Sequence, residues 1–314
     1  MSAAPFARQT TLYIAFFLIY FIWGSTYLAI RYAILGIPPF LMAGLRFMIA
    51  GLLMLLFLRL RGVALPPFSQ YWRLAVVGIF LFVGGNGLVV WAEQYIDSGL
   101  AALLVSMLPL WLIVLDWLWA DGPPPTLRAL IGIGLGLFGT VVLVKPQWLM
   151  PALAPNPDSL EASDTTASTL ASAVTILASA LWAIGSIYLK KIERPRSVFM
   201  SAGCQMTGGG AVLLLLSLCL GEWQQFEPQT VTLVSLAGFA WLLGLGSIVA
   251  ISAYVWLLQN ASASAVSTYA FVNPVVALFL GWLIADEPMT AAILAGAGII
   301  LAGVVLVILV PPKR

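Results

Sequence analysis

Ten apolar runs, each about 20 residues long and so long enough to cross a bilayer as an α-helix, follow one another along the chain. They lie at roughly 11–30, 40–58, 72–92, 99–119, 127–144, 171–189, 198–220, 233–257, 264–284 and 290–310, punctuated by Pro, Gly and charge. In lipid every backbone N–H and C=O must be satisfied within the segment, and a helix does this. Composition agrees: 62% of residues are hydrophobic and 8% charged, against about 25% charged in soluble proteins. Mean hydropathy is +1.05. The expected fold class is an all-α membrane protein of ten transmembrane helices, with the lipid bilayer as its solvent.

Other classes fall away on composition. The chain has no histidine, which excludes His-based relays, HExxH zinc chemistry and Ser-His-Asp hydrolysis. A metal site and a cofactor are not expected. The net charge of +2 comes from basic residues scattered between apolar runs, so no nucleic-acid partner is implied. Cys204 and Cys219 stand about 22 Å apart if one helix carries both and cannot bridge each other. The opening "MSAAPFARQT" leads into a run with no small-residue cleavage site, which reads as a retained first span.

Basic residues mark cytoplasmic loops. With the N-terminus inside, the inner loops hold Arg8, Arg59, Arg61, Arg73, Arg128, Lys190, Lys191, Arg194, Arg196, Lys313 and Arg314, and the outer side holds only Arg31 and Lys145. Both termini are therefore expected to be cytoplasmic. The long polar stretch 146–170, with Asp158, Glu161 and Asp164 and no Lys or Arg, falls outside and divides the spans five and five.

The two sets of five are copies. "GSTYL" at 24–28 is echoed by "GSIYL" at 185–189. Ala43-Gly44 matches Ala202-Gly203, Gly51 matches Gly210, Trp91 matches Trp256, Pro109 matches Pro274 and Ala120-Asp121 matches Ala285-Asp286. With one proline of "PPP" dropped, Gly132, Gly134 and Gly139 match Gly296, Gly298 and Gly303. Five is odd, so the second copy enters the membrane from the opposite side. The expected organisation is a first five-helix repeat at 1–145, a polar linker at 146–170 and a second repeat at 171–314. Inverted repeats of this kind underlie many transporter folds, with the substrate site near the midplane between the copies.

The segments "WGSTYLAIR" (23–31), "AGLRF" (43–47), "SGLAALLVSMLPLWLIVLDWLWAD" (98–121) and "YAFVNPVVALFLGWLIADEP" (269–288) resemble the EamA-type members of the drug/metabolite transporter superfamily, over essentially the whole chain. The resemblance implies a central cavity between two inverted five-helix repeats in an inner-membrane exporter of small metabolites, amino acids including aromatic ones among them. Where that family usually has Glu at the end of the fourth span, this chain has Asp121, which keeps the charge.

Matched helix breaks point to a transporter's site, and Pro109 and Pro274 supply them, since proline removes a backbone donor. The expected cavity residues are Tyr95, Ser106, Pro109 and Trp111 from the first copy and Tyr269, Phe271, Asn273 and Pro274 from the second. A packing kink is the alternative for the prolines, and interfacial anchoring is the alternative for the aromatics. A buried amide such as Asn273 needs a partner, which a ligand could provide.

Arg46 is the one basic residue well inside a span, where a charge is expensive and functional by default. By helical rise it lies about 9 Å below the outer surface and Asp116 about 25 Å below it, too far apart to pair. Glu93 lies within about 5 Å of the depth of Arg46, and both charges are lost together in the second copy, as Gln205 and Leu258. The expectation is an Arg46–Glu93 pair that locks two helices; substrate carboxylate binding by Arg46 is the alternative. Asp116 is expected to pair with a nearby Arg, and Glu93 is the better candidate for proton coupling. The glycines of "GIGLG" (132–136) and "GAG" (296–298) read as close helix packing; no strand precedes them, so phosphate-loop readings do not apply.

The expected function is secondary transport of a small molecule by alternating access, by a monomer or a homodimer. Carriers of drugs, nucleotide sugars or sugar phosphates are the rival within the class, but phosphates call for cavity Lys or Arg, and spans eight to ten have none. An intramembrane enzyme lacks its catalytic groups here, and a receptor or scaffold leaves the duplication unexplained.

Overall fold

The computed structural model describes residues 3–120, 122, 124–144, 165–261, 266 and 268–308. The greater part of the 146–170 linker, Asp121 and the side chain of Phe271 lie outside the described residues.

The chain is helical. Helix α1 runs Ala3–Ala33 and α2 Pro39–Leu60. Helix α3 spans Phe68–Ala92 and α4 Ser98–Trp119. Then come α5, Leu127–Val144, α6, Thr165–Lys191, and α7, Val198–Cys219. Helix α8 is built end to end from Leu233–Ala240, Trp241–Val249 and Ala250–Asn260, and α9, Tyr269–Ala285, and α10, Ala291–Ile308, follow. Seven helices are long and apolar enough to cross a membrane, and three shorter apolar ones, Leu127–Val142, Val272–Ala285 and Ala291–Leu306, accompany them among the described residues. Helix α1 begins well before residue 11 because no Gly or Pro stands between Pro5 and residue 11 to interrupt it, and Pro5 sits in its first turn, where a missing N–H costs nothing.

The two copies are wound together. Helix α1 packs on α8 and α9 of the second copy, and α6 packs on α3 and α4 of the first. Corresponding helices also meet: α2 with α7, α4 with α9 and α5 with α10. The glycines show how. A methyl at Gly51 would lie 2.9 Å from the Gly203 carbonyl oxygen, and one at Gly210 would lie 3.2 Å from that of Gly44. Gly203 is the copy of Gly44, and Gly210 the copy of Gly51, so each glycine meets the counterpart of the other. The same exchange holds in the last spans: Gly139 abuts the Gly296 carbonyl at 3.0 Å and Gly303 the Gly132 carbonyl at 2.6 Å. Such reciprocal contacts place corresponding helices antiparallel about an approximate two-fold axis, as two inverted five-helix repeats require.

The duplication reaches features that pattern alone does not expose. The middle of α3, Ile79–Gly87, and the middle of α8, Trp241–Val249, are both wide π-type turns of nine residues, a form concentrated at functional sites. Gly84 falls on Gly246. Both stretches are glycine-bearing and lie against a first-span helix: Gly85 against Trp182 of α6, and Gly246 against Thr26 of α1.

The fourth spans differ. Helix α4 is interrupted between its segments Ser98–Val105 and Leu108–Trp119. Pro109 cannot donate to the Val105 carbonyl. The Ser106 hydroxyl caps the first segment by donating to the Leu103 carbonyl, 2.6 Å away, and the ladder restarts with Leu110 and Trp111 N–H bonded to Met107 O. In α9, by contrast, the helix is continuous through Pro274, so the expected pair of broken spans is broken on one side only. Gly24 lets α1 press against this part of α9, since a methyl there would lie 2.6 Å from Val276 Cβ, and neighbouring helices of this kind support a proline within a span.

Carboxylates of the second copy cap helices of the first. Glu222 accepts from the backbone N–H groups of Phe40 and Leu41 at 3.2 and 2.7 Å, at the start of α2. Glu287 accepts from Ser98 N–H at 2.9 Å and Gly99 N–H at 3.0 Å, at the start of α4. Both place negative charge where a helix N-terminus has unsatisfied donors.

Candidate functional site

Two cavities open at opposite ends of the bundle, and a cross-copy ion pair marks each. The first, of about 600 Å³, is lined by Arg31, Glu93, Tyr95, Asp97, Leu100 and Ser168 among others. Arg31, at the end of α1, donates to Asp97 at 2.6 Å and to Glu287 at 2.8 Å. Glu287 is buried and takes a further bond from the Ser98 hydroxyl at 2.7 Å, so one carboxylate joins α1, α4 and the end of α9. The second cavity, of about 400 Å³, is lined by Leu108, Leu112, Ile113 and Asp116 of α4, Trp182, Ser186 and Lys190 of α6, Tyr254 of α8 and Tyr269 of α9. Lys190 reaches Asp116 at 3.0 Å, in a pair open to solvent.

An aromatic wall backs the second cavity. The rings of Trp23, Tyr254 and Tyr269 meet in a triangle, with centroids 5.3 Å (Trp23–Tyr254), 5.1 Å (Trp23–Tyr269) and 6.1 Å (Tyr254–Tyr269) apart. Edge-to-face pairs of this type contribute beyond the area they bury. The cavity is thus apolar along α4 and aromatic on its far side, with one positive and one negative group at its mouth.

The residues expected from sequence are distributed as follows. Tyr269 lines the second cavity. Tyr95 lines the first, half-exposed and tilted against Trp91. Trp111 donates its indole N–H to the Ser179 hydroxyl at 3.0 Å, tying α4 to α6. Asn273 is buried, and with its amide nitrogen turned toward α1 it donates to the carbonyls of Tyr20 and Tyr269, 3.2 Å each, so the protein itself partners this amide. Ser106 and Pro109 form the break in α4, and Pro274 lies within α9.

Arg46 and Glu93 are not bonded to each other. The Arg46 guanidinium donates through Nε to the Ser247 hydroxyl at 2.9 Å and lies 4.7 Å over the Phe47 ring. Its Nη1 is buried without a hydrogen-bond partner, as are both carboxylate oxygens of Glu93. The reason is helical phase. The α2 face that meets α3 is taken by Phe47, whose ring centroid lies 4.4 Å from that of Phe82 at a tilt of 40°, and Arg46, one position earlier, faces α8. Asp116 likewise pairs with Lys190 and not with an arginine.

Sequence reasoning passed over Arg31, Asp97 and Glu287 as site residues, and it gave Trp182 and Tyr254, with most of the aromatics, to interfacial anchoring. A signal for the first group was present. Arg31 is an exception to the inside preference of basic residues, and a cation at the wrong end of a span calls for carboxylates beside it.

A family model for the EamA-like transporter family matches residues 10–145 and again 169–309. The chain is 35% identical over 308 residues to the uncharacterized inner membrane transporter YedA of Escherichia coli strain K12, covering 97% of this chain and 92% of that protein. It is 28% identical to Protein PecM of Dickeya dadantii, over 91% of this chain and 88% of that one. The uncharacterized transporter YoaV of Bacillus subtilis is 27% identical over 90% and 91% of the two chains. A solved protein structure, 19% identical, shares the fold with a TM-score of 0.59 over 95% of this chain and 96% of that one. With its two matched halves, its reciprocal helix pairs and two relatives named as transporters that it matches over more than nine-tenths of their length, this chain is a membrane transporter that belongs to the EamA-like transporter family.

Proposed function

We propose that the protein is an inner-membrane carrier that exports small zwitterionic metabolites, amino acids with aromatic or apolar side chains foremost, by alternating access between the two repeats. Both termini are cytoplasmic in this reading, following the distribution of Arg and Lys. The second cavity then faces the cytoplasm and the first faces outward. The observation that carries the substrate class is the second cavity itself. Its volume falls in the range of small-molecule sites, its walls are aromatic and aliphatic, and Asp116 and Lys190 together match an ammonium and a carboxylate. A sugar phosphate or nucleotide sugar fits less well, because in taking Lys190, the one cation lining this cavity among the described residues, it would leave Asp116 unpaired, whereas a zwitterion partners both.

The test is efflux from liposomes holding the purified protein and preloaded with radiolabelled Trp, Phe, Thr or a sugar phosphate. Trp and Phe are expected to leave faster than from protein-free liposomes. Tyr269→Ala is expected to slow them by about tenfold, the worth of one aromatic contact. Sugar-phosphate efflux without amino-acid efflux would overturn the substrate class.

A further inference from the structure

Two carboxylates, Glu93 and Asp97, and one cation, Arg31, line the outward cavity, a third carboxylate, Glu287, is bonded to Arg31, and the hydrogen bonds are shared unequally. Arg31 gives its bonds to Asp97 and Glu287. Glu287 is further held by two N–H groups and a hydroxyl of α4. Glu93 takes no hydrogen bond from any side chain, and the backbone of Arg31 only partly offsets its burial. The Glu93 side chain is 5% exposed, and neither carboxylate oxygen has a hydrogen-bond partner. An ionised carboxylate left this way is among the costliest arrangements in a protein, and such a group takes up a proton instead.

Every neighbour favours the neutral form or is already engaged. Glu93 directly follows the last residue of the α3 span, at the negative end of that helix. From α1 it meets Tyr27 and Arg31, from the start of α4 Asp97, and from the end of α9 Glu287. From α6 the cavity offers Ser168, which cannot ionise. The Arg46 guanidinium of α2 is turned to Ser247. Burial pushes the Glu93 carboxyl well above the usual carboxylate range, the charge of Glu287 adds to this, and Arg31 works against it.

We propose that Glu93 is a proton-binding group of the carrier: neutral while the Arg31–Asp97–Glu287 end is closed around it, and deprotonated to water when that end opens. Opening exposes the carboxyl, restores its hydration and releases one proton to the outward water; closing takes one back. Raising the pH through the titration of Glu93 therefore favours the opened end, and lowering it favours the closed one. The coupling to transport rests on the alternating-access reading above, whereas the protonation itself is measured with no substrate present.

Two measurements on purified protein test this. The infrared carbonyl band of a protonated carboxylic acid is expected at neutral pH in the native protein and in Asp116→Asn, and is expected to be absent in Glu93→Gln. In a Cys204→Ser, Cys219→Ser background, a Ser168→Cys thiol reports opening through its reaction with a membrane-impermeant maleimide. Beyond the thiol's own titration, labelling is expected to rise several-fold with pH when Glu93 is present and to lose that rise in Glu93→Gln. A band that survives Glu93→Gln overturns the protonation. Identical labelling profiles overturn its link to opening. Failure of every amino acid in the efflux test would leave both of these readings standing.

Discussion

Glu287 and Lys190 belong to ion pairs of the same chemical kind, at opposite ends of the molecule, and burial separates their worth. Glu287 is 5% exposed and accepts bonds from Arg31 and from three donors of α4. Its removal leaves Arg31 with Asp97 alone and uncaps the buried start of α4, so Glu287→Ala is expected to lower stability by about 3 kcal/mol, read as a fall in the unfolding midpoint in detergent. Lys190 is 60% exposed, and Lys190→Ala is expected to cost no more than about 1 kcal/mol while slowing amino-acid efflux, because the cavity loses its cation. Asn273→Ala is expected to cost about 1 kcal/mol, since its amide ties α1 to α9 through backbone carbonyls. At this scale the sequence was legible only in part. That Arg46 and Glu93 are special follows from charge within apolar runs. That they do not meet follows from helical phase, with Phe47 taking the face toward α3, and a depth estimate along the helix axis carries no information about phase. The role of Glu287 was not legible because its three partners are 188 to 256 positions away in sequence.

At the scale of single helices, small residues decide where two axes can approach. Gly139 and Gly303 sit against backbone of the facing helix, whereas Gly134 and Gly298 have nothing within 4 Å of the position a methyl would take. Gly139→Leu is therefore expected to destabilise the α5–α10 contact by about 1–3 kcal/mol, and Gly134→Leu to leave the unfolding midpoint nearly unchanged. Equal losses in the two variants would show that the helices do not pack as described. The glycine rows were visible in the sequence as packing signals, but which glycines touch was not, because one glycine in a row is at the contact and the next is turned away. The break in α4 was legible from Pro109. The continuity of α9 through Pro274 was not: proline sets what a helix loses, and the neighbours, here α1 at Gly24, set whether the helix continues. The paired π-type turns of α3 and α8 left no pattern beyond their glycines.

For the whole molecule, ten spans, their duplication and its inversion were readable because lipid imposes a length on every span and an odd repeat must flip. What the sequence could not supply was how the halves interlock, with α1 in the second copy's territory and α6 in the first's. That exchange brings Arg31 to Glu287 at one end and Lys190 to Asp116 at the other, each pair across the seam between the repeats. In the proposed cycle the two ends open in alternation. Spin labels report it directly, in the Cys204→Ser, Cys219→Ser background, with one pair at Tyr95→Cys and Asp286→Cys and a second at Leu118→Cys and Lys191→Cys, each measured by electron–electron distance spectroscopy with and without saturating Trp and at acid and alkaline pH. The two distance distributions are expected to shift in opposite senses whenever either one shifts. Ends that lengthen together, or distances that stay fixed under conditions where efflux proceeds, would contradict that alternation.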